Sequence, residues 1–180
     1  HSLCSGNFNI CNDYNAVSGF GNLINGNYNN VSGSGNNCTT TYNGISGRGN
    51  LVGGNYTLCS GQNHSASSSH SLISGQNNNS TGNHSICSGS GNNLSGKYST
   101  AVGQNITVAG DRSFAFGSNN TASADYSGAL GYYAEAKDTG SFVWSDSSSS
   151  TLFPSNGINS FNIRASGGIR LETPIDATSR

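Results

Sequence analysis

The sequence predicts an all-β fold, a parallel β-roll of about ten short coils closed by a C-terminal β cap. Three observations carry that expectation. The first is a gapless fourteen-residue repeat. Ser85–Tyr98 reads SICSGSGNNLSGKY, Ser99–Arg112 reads STAVGQNITVAGDR, and Ser113–Tyr126 reads SFAFGSNNTASADY. The second is that apolar residues recur at two places, half a repeat apart. The third is composition: 32% hydrophobic and 8% charged residues against about 45–50% and about 25% in ordinary domains. Low hydrophobicity with high net charge would mean disorder. Here the net charge is -1 and the pattern is strict, which favours a repetitive β structure rich in tight turns.

Counting places from Ser85, the fifth-place glycines run back and forward in register: Gly19, Gly33, Gly47, Gly61, Gly75, Gly89, Gly103, Gly117 and Gly131. Gly6 is one residue out of step, so the first coil is expected to be a residue short. The third place holds Val17, Val31, Ile45, Cys59, Ile73, Cys87, Ala101, Ala115, Ala129 and Val143. The tenth holds Ile24, Cys38, Val52, Ala66, Ser80, Leu94, Val108, Ala122 and Ala136. Strand side chains alternate between faces, so each coil should contain two short strands that point these residues into a core ladder. Gly- and Asn-rich segments such as GFGN, GSGN and NGNY supply the positive φ that repeated reversals need. Parallel stacking at about 4.8 Å per coil gives a rod roughly 45–50 Å long.

The fourteenth place carries Tyr28, Tyr42, Tyr56, His70, His84, Tyr98, Arg112 and Tyr126. Stacking should turn these into a ladder along one edge. A two-strand coil encloses little, and one or two small apolar residues per strand do not offset the ordering entropy of fourteen residues. The roll should therefore bury an outer face against copies of itself, with second-place Leu58, Leu72, Ile86 and Phe114 as candidates.

The repeat stops after Ser145. We divide the chain into a roll over 1–146 and a capping or neck segment over 147–180. A Ser-rich loop should occupy Asp146–Thr151, with strands near Asn159–Ala165 and Ile169–Glu172 around Gly167-Gly168. Phe142, Trp144, Phe153 and Phe161 supply the bulk a solenoid cap requires. The chain opens at His1, partway into a repeat, and shows no signal peptide; a processed chain or a piece of a longer one is expected. The tail after Pro174 has no pattern and would suit a lead into a further domain.

Ser99–Arg112 and Ser113–Tyr126 resemble the head repeat of trimeric autotransporter adhesins, the YadA-like head. The likeness is closest over Ser99–Ala136 and extends, more weakly, back to Ser2. It implies a left-handed parallel β-roll packed as a homotrimer. The C-terminal SFVWSD and NSFNIRASGG resemble segments that follow such rolls in phage-tail-like and large-virus fibre proteins. The resemblance implies a non-enzymatic structural or adhesive module, a rigid extracellular rod on a cell or virion surface, with a host-surface protein or glycan as receptor. The alternative is a subunit of an extracellular filament joined end to end.

Near-neutral charge disfavours a nucleic-acid partner, which needs clustered Lys and Arg. No apolar run approaches the length of a membrane-spanning helix, so no membrane insertion is expected. We expect no cofactor, no metal and no catalytic residues. G-x-S-x-G and the P-loop pattern are absent from the sequence, and Glu135, Asp138, Asp146 and Glu172 read as solvated charges. Ice binding would want regular Thr ladders, whereas Thr39-Thr40-Thr41 is isolated. His70 and His84 should stack one coil apart with His64 nearby; three chains would offer a ring of imidazoles, but replacement of Tyr in the ladder is the simpler reading.

Cys38, Cys59 and Cys87 fall at inward places, and Cys4 matches the third place of the short first coil. They read as small buried hydrophobes, with disulfides left open. The sequons at Asn30, Asn37, Asn55, Asn63, Asn78, Asn79, Asn83, Asn93, Asn105 and Asn119 are candidate N-glycosylation sites. Most lie in the nearly uncharged part of the rod, where glycans would keep a repetitive β surface soluble and block sheet stacking.

Overall fold

The computed structural model of the protein describes residues 1–172. The chain winds as a solenoid with two strands per coil, and all strand pairs are parallel. Five-residue strands, such as Leu58–Gln62 and Leu72–Gln76, form a twelve-stranded sheet. Two-residue strands, such as Leu51–Val52 and Ser65–Ala66, form an eleven-stranded sheet behind it. Both sheets follow chain order, so each coil touches only its neighbours.

The register is in phase throughout. Gly6 pairs with Gly19 across the short first coil, and Gly19 with Gly33 across a full one. Glycine is needed at this place because φ lies near +115° and a Cβ on Gly33 would sit 1.9 Å from the carbonyl oxygen of Gly47. Third-place Val17, Val31, Ile45, Cys59, Ile73, Cys87, Ala101, Ala115, Ala129 and Val143 are buried between the sheets with the tenth-place residues.

Two further rows are buried and polar. The first place holds Asn15, Asn29, Asn43, Thr57, Ser71, Ser85, Ser99, Ser113, Ser127 and Ser141. The eighth holds Asn22, Asn36, Asn50, His64, Asn78, Asn92 and Asn120, with Ile106 and Ala134 among them. Each eighth-place amide spans two coils. Asn36 donates from Nδ2 to Asn22 Oδ1 and to Gly47 O, both at 3.0 Å, and its Oδ1 accepts Asn50 N–H at 3.1 Å. First-place residues work alike: Asn29 donates to Thr40 O at 2.8 Å, and Ser99 to Gly110 O at 2.9 Å. Backbone groups at the turns that the sheets leave unpaired thus find side-chain partners.

The sheets run on past Ser145. Phe153–Pro154 joins the narrow sheet and Phe161–Arg164 the wide one, where Phe142 pairs with Phe161 through one longer coil. Arg164 fastens this coil, donating to Ser145 Oγ at 2.6 Å and Thr151 O at 2.8 Å with its guanidinium over the Phe153 ring. The expected second cap strand at Ile169–Glu172 does not form. These residues are irregular, with Ile169 and Leu171 exposed and Arg170 paired to Glu172. Gly168, at φ +93°, turns the chain off the end of the stack. The tail after Pro174 lies outside the described residues.

Candidate functional site

On the wide sheet the second and fourth places point outward, and the fourth-place column changes character along the rod. Ser5, Ser18, Ser32, Ser46, Ser60, Ser74 and Ser88 pair in register through seven coils. Ser88 then pairs with Val102, and the column continues as Phe116, Leu130, Trp144 and Ile163. The second-place column runs through Leu58, Leu72, Ile86, Thr100, Phe114, Gly128, Phe142 and Phe161. The Phe114 ring covers Gly128, where a Cβ would meet it at 2.5 Å, and Phe142 stacks on Phe161 at 5.1 Å. The fourth-place column is therefore hydroxylated at its N-terminal end and apolar at its C-terminal end, beside a second-place column that is already apolar at exposed Leu58, Leu72 and Ile86.

A second surface is the edge ladder. Tyr14, Tyr28, Tyr42, Tyr56, His70, His84 and Tyr98 stack with ring centroids 4.8–5.1 Å apart. Arg112 continues the row between Tyr98 and Tyr126. His70 and His84 replace Tyr within the stack. His64 is elsewhere, buried in the amide column: its Nδ1 accepts Asn78 N–H at 3.2 Å and its Nε2 bonds Ser60 O at 3.0 Å. Burial pushes its pKa down, against the hydrogen bonds to the backbone. The three histidines are thus not brought together.

Cys4 and Cys11 form a disulfide across the first coil, at the places held by Val17 and Ile24 in the next. Cys38, Cys59 and Cys87 are free and buried; burial pushes the Cys59 and Cys87 thiols up to about 12, so they are not nucleophiles. Asn78 is corrected as a glycosylation candidate. It is 1% exposed because its amide belongs to the inward column, donating to Ser74 O and Gly89 O. Asn30, Asn55, Asn63, Asn79, Asn83, Asn93 and Asn105 are exposed; Asn37 and Asn119 are half-buried.

The change in the outer face coincides with a change in which family model the chain matches. The profile described as the grass antifreeze β-roll matches residues 3–96, just over half of the chain. The chain belongs to that family. The YadA head domain repeat matches in two copies, over 95–120 and 109–134. The antifreeze-type match thus ends, and the YadA-type match begins, between Ser88 and Val102, where the outward serine column gives way to apolar residues. No individual curated protein matches this sequence.

The serine column is visible in the sequence as the S-G repeated at places four and five, a signal masked because the glycine alone accounts for its period.

Proposed function

We propose that this β-roll is a non-enzymatic, extracellular structural rod that assembles as a homotrimer and presents its N-terminal coils as an adhesive surface. The carrying observation is an exchange of bulk between the inward third place and the outward fourth place along the rod. In the N-terminal coils Val17, Val31 and Ile45 fill the core under an outward column of serines. In the C-terminal coils the third place narrows to Ala101, Ala115 and Ala129, while on the fourth place Phe116 and Trp144 are exposed and Leu130 is half-buried. Large side chains left in water beside a small core favour burial against further copies. The YadA head match supports the same arrangement, and the Cys4–Cys11 disulfide supports an oxidising, extracellular setting.

The test is absolute mass by size-exclusion chromatography with light scattering across a concentration series. Three chains at every concentration is expected, with Leu130→Glu reducing the mass to one chain and Ser32→Glu leaving it unchanged. Mass that grows with concentration would move the reading to an end-to-end filament. A stable single chain would sink both.

A second reading is favoured by the seven-coil serine column lying in the very coils that match the grass antifreeze family. In it, the N-terminal outer face binds ice. Thermal hysteresis and ice-recrystallisation inhibition would measure this. Activity lost on Ser46→Tyr and kept on Leu130→Glu supports it; absence of both effects in the parent protein rejects it.

A further inference from the structure

The fold sorts the sequons by what each amide already does. Asn55 and Asn83 hold the thirteenth place of their coils, in the turns between Leu51–Val52 and Leu58–Gln62 and between Asn79–Ser80 and Ile86–Ser90. Both are exposed. Asn55 Oδ1 accepts Thr41 N–H at 3.0 Å and the Thr41 hydroxyl at 3.2 Å. Asn83 Oδ1 accepts Ser69 N–H at 2.9 Å. A backbone N–H only donates, so it fixes which end of each amide faces the coil and leaves Nδ2 towards solvent. Among the described residues neither Nδ2 makes a hydrogen bond.

The rest of the thirteenth-place column shows that the fold uses only the oxygen. Further along the rod Asp111 and Asp125 stand there, and their Oδ1 atoms accept Lys97 N–H at 2.8 Å and Asp111 N–H at 2.9 Å. Between the two sequons, Ser69 Oγ accepts Asn55 N–H at 3.1 Å. Amide, hydroxyl and carboxylate oxygens thus do the same work, and the amide nitrogens of Asn55 and Asn83 are spare. The other sequons differ. Asn78 is buried with its Nδ2 on Ser74 O and Gly89 O. Asn79, Asn105 and Asn119 use Nδ2 on Asn93, Asn119 and Ser118. Asn37 is half-buried, and Asn30 stands in the second-place column of the wide sheet. Asn93 is oriented by the Asn79 side chain alone, and among the described residues no backbone N–H orients the amide of Asn63.

We propose that Asn55 and Asn83 are the N-glycosylation sites of the folded rod. In the transfer, Nδ2 bonds to the anomeric carbon of an oligosaccharide, the bond from that carbon to a lipid diphosphate breaks, the lipid diphosphate leaves and Nδ2 gives up one proton. Oδ1 is untouched, so the bond to the neighbouring coil survives. The sequon hydroxyls are buried in the first-place row, Thr57 on Ser68 O at 2.7 Å and Ser85 on Gly82 O at 2.6 Å. Transfer therefore precedes coil closure, and the fold decides which glycosylated chains can close. The two sites lie two coils apart, about 10 Å, beside Tyr56 and His84 of the edge ladder. Their glycans cover the middle of a stripe of exposed rings, otherwise a surface for lateral association. They leave the second- and fourth-place columns free for the trimer. The inference rests on the extracellular part of the proposed function, because this modification belongs to secreted proteins.

The full chain is secreted from eukaryotic cells and mapped by glycopeptide mass spectrometry, with each occupied Asn marked by enzymatic glycan release in heavy-oxygen water. Occupancy is expected in most molecules at Asn55 and Asn83, in a minor fraction at the other exposed sequons, and in none at Asn78. An empty Asn55 or Asn83, or equal occupancy across all exposed sequons, overturns the proposal. Asn55→Asp is the second arm. It should remove one glycan mass and keep the hydrogen-exchange protection of the Thr41 amide, as Asp111 holds the Lys97 amide. Loss of that protection shows that the fold needs the amide nitrogen, and overturns the proposal as well. Light scattering on the Asn55→Asp, Asn83→Asp double variant reads the trimer without either glycan, so a failed trimer and a failed glycosylation site are told apart.

Discussion

The two halves of the rod share one backbone and differ in where they keep their bulk. Around Val31 the core is branched aliphatic, the eighth place is an amide column interrupted only by His64 before the junction, and the fourth place is serine. Around Ala115 the core is alanine, the amide column is interrupted at Ile106 and Ala134, and the fourth place is Phe116. A solenoid coil can thus satisfy itself from within or lean on a neighbouring chain. In a quasi-one-dimensional stack both solutions can coexist, since each coil meets only the next.

The largest effect that bears on this contrast comes from a charge placed inside the weaker half. Ala101 is fully buried at the junction. Ala101→Glu would enclose an unpaired carboxylate at a cost of about 3–5 kcal/mol. Coils C-terminal to it should lose amide hydrogen-exchange protection while coils from Val17 to Ile73 keep theirs. Protection lost along the whole rod together would mean that the halves are one cooperative unit and that the contrast has no energetic content.

A smaller effect compares like with like in the two halves. Asn36→Ala removes contacts to Asn22 Oδ1, Gly47 O and Asn50 N–H. Asn120→Ala removes contacts to Phe116 O, Gly131 O and Ala134 N–H, but has no amide beside it in the column. Both leave buried backbone groups unpaired, at about 2–3 kcal/mol for Asn36 and about 1 kcal/mol less for Asn120. Chemical denaturation of the two variants measures the difference. Equal losses would show that lateral bonding between stacked amides adds nothing.

The repeat, its register and the inward third and tenth places were legible because they are periodic, and a period survives any choice of small residues. The buried first and eighth places were not. Asn15 and Asn22 look like turn residues by type, and only the coordinates show their amides aimed at the carbonyl oxygens of Gly26 and Gly33. Without these two rows every coil would need a partner chain. The N-terminal coils supply part of the missing stability internally, although second-place Leu58, Leu72 and Ile86 remain exposed there. Asn78 was misplaced for the same reason, its sequon being visible while its burial was not. The Cys4–Cys11 bridge was hidden because nothing in the spacing distinguishes a facing pair of thiols from two separate apolar plugs.

His64 makes the N-terminal half the one sensitive to mild acid. Its folded pKa lies below the ordinary 6.5 because burial disfavours the imidazolium, and protonating Nδ1 would break the bond from Asn78 N–H. The unfolded chain therefore binds the proton first. Stability is full above about 6.5 and falls as pH drops from there towards the folded-state pKa. The melting temperature should decline over that window, and exchange protection should weaken around Ser60 and Asn78 while Ala115 and its neighbours are unaffected. His64→Asn, which restores the amide column, should remove the dependence. A dependence that survives in His64→Asn would transfer the effect to other groups.

The smallest expected effect concerns the edge ladder, which is aromatic in both halves but continuous only in the first. Tyr42 has φ +61° and its ring lies 5.0 Å from those of Tyr28 and Tyr56. A left-handed backbone disfavours any residue with a Cβ by about 1–2 kcal/mol, and stacking offsets it by about 0.5–1.5 kcal/mol per ring pair. Tyr42→Ala keeps the backbone penalty and loses both contacts, so it should destabilise by about 1–2 kcal/mol. Tyr42→Asn loses the same rings but suits the left-handed region, as Asn63 and Asn105 already do at positive φ, and should fall well short of that loss. At Tyr126, where the only ladder neighbour observed is the Arg112 guanidinium 5.4 Å away, the Ala variant should lose about half as much. If Asn and Ala prove equally harmful at position 42, the rings carry all of the effect and the backbone strain is negligible. If Asn is neutral, the tyrosines are there for something other than stability, and the exposed ladder becomes the next surface to test for a partner.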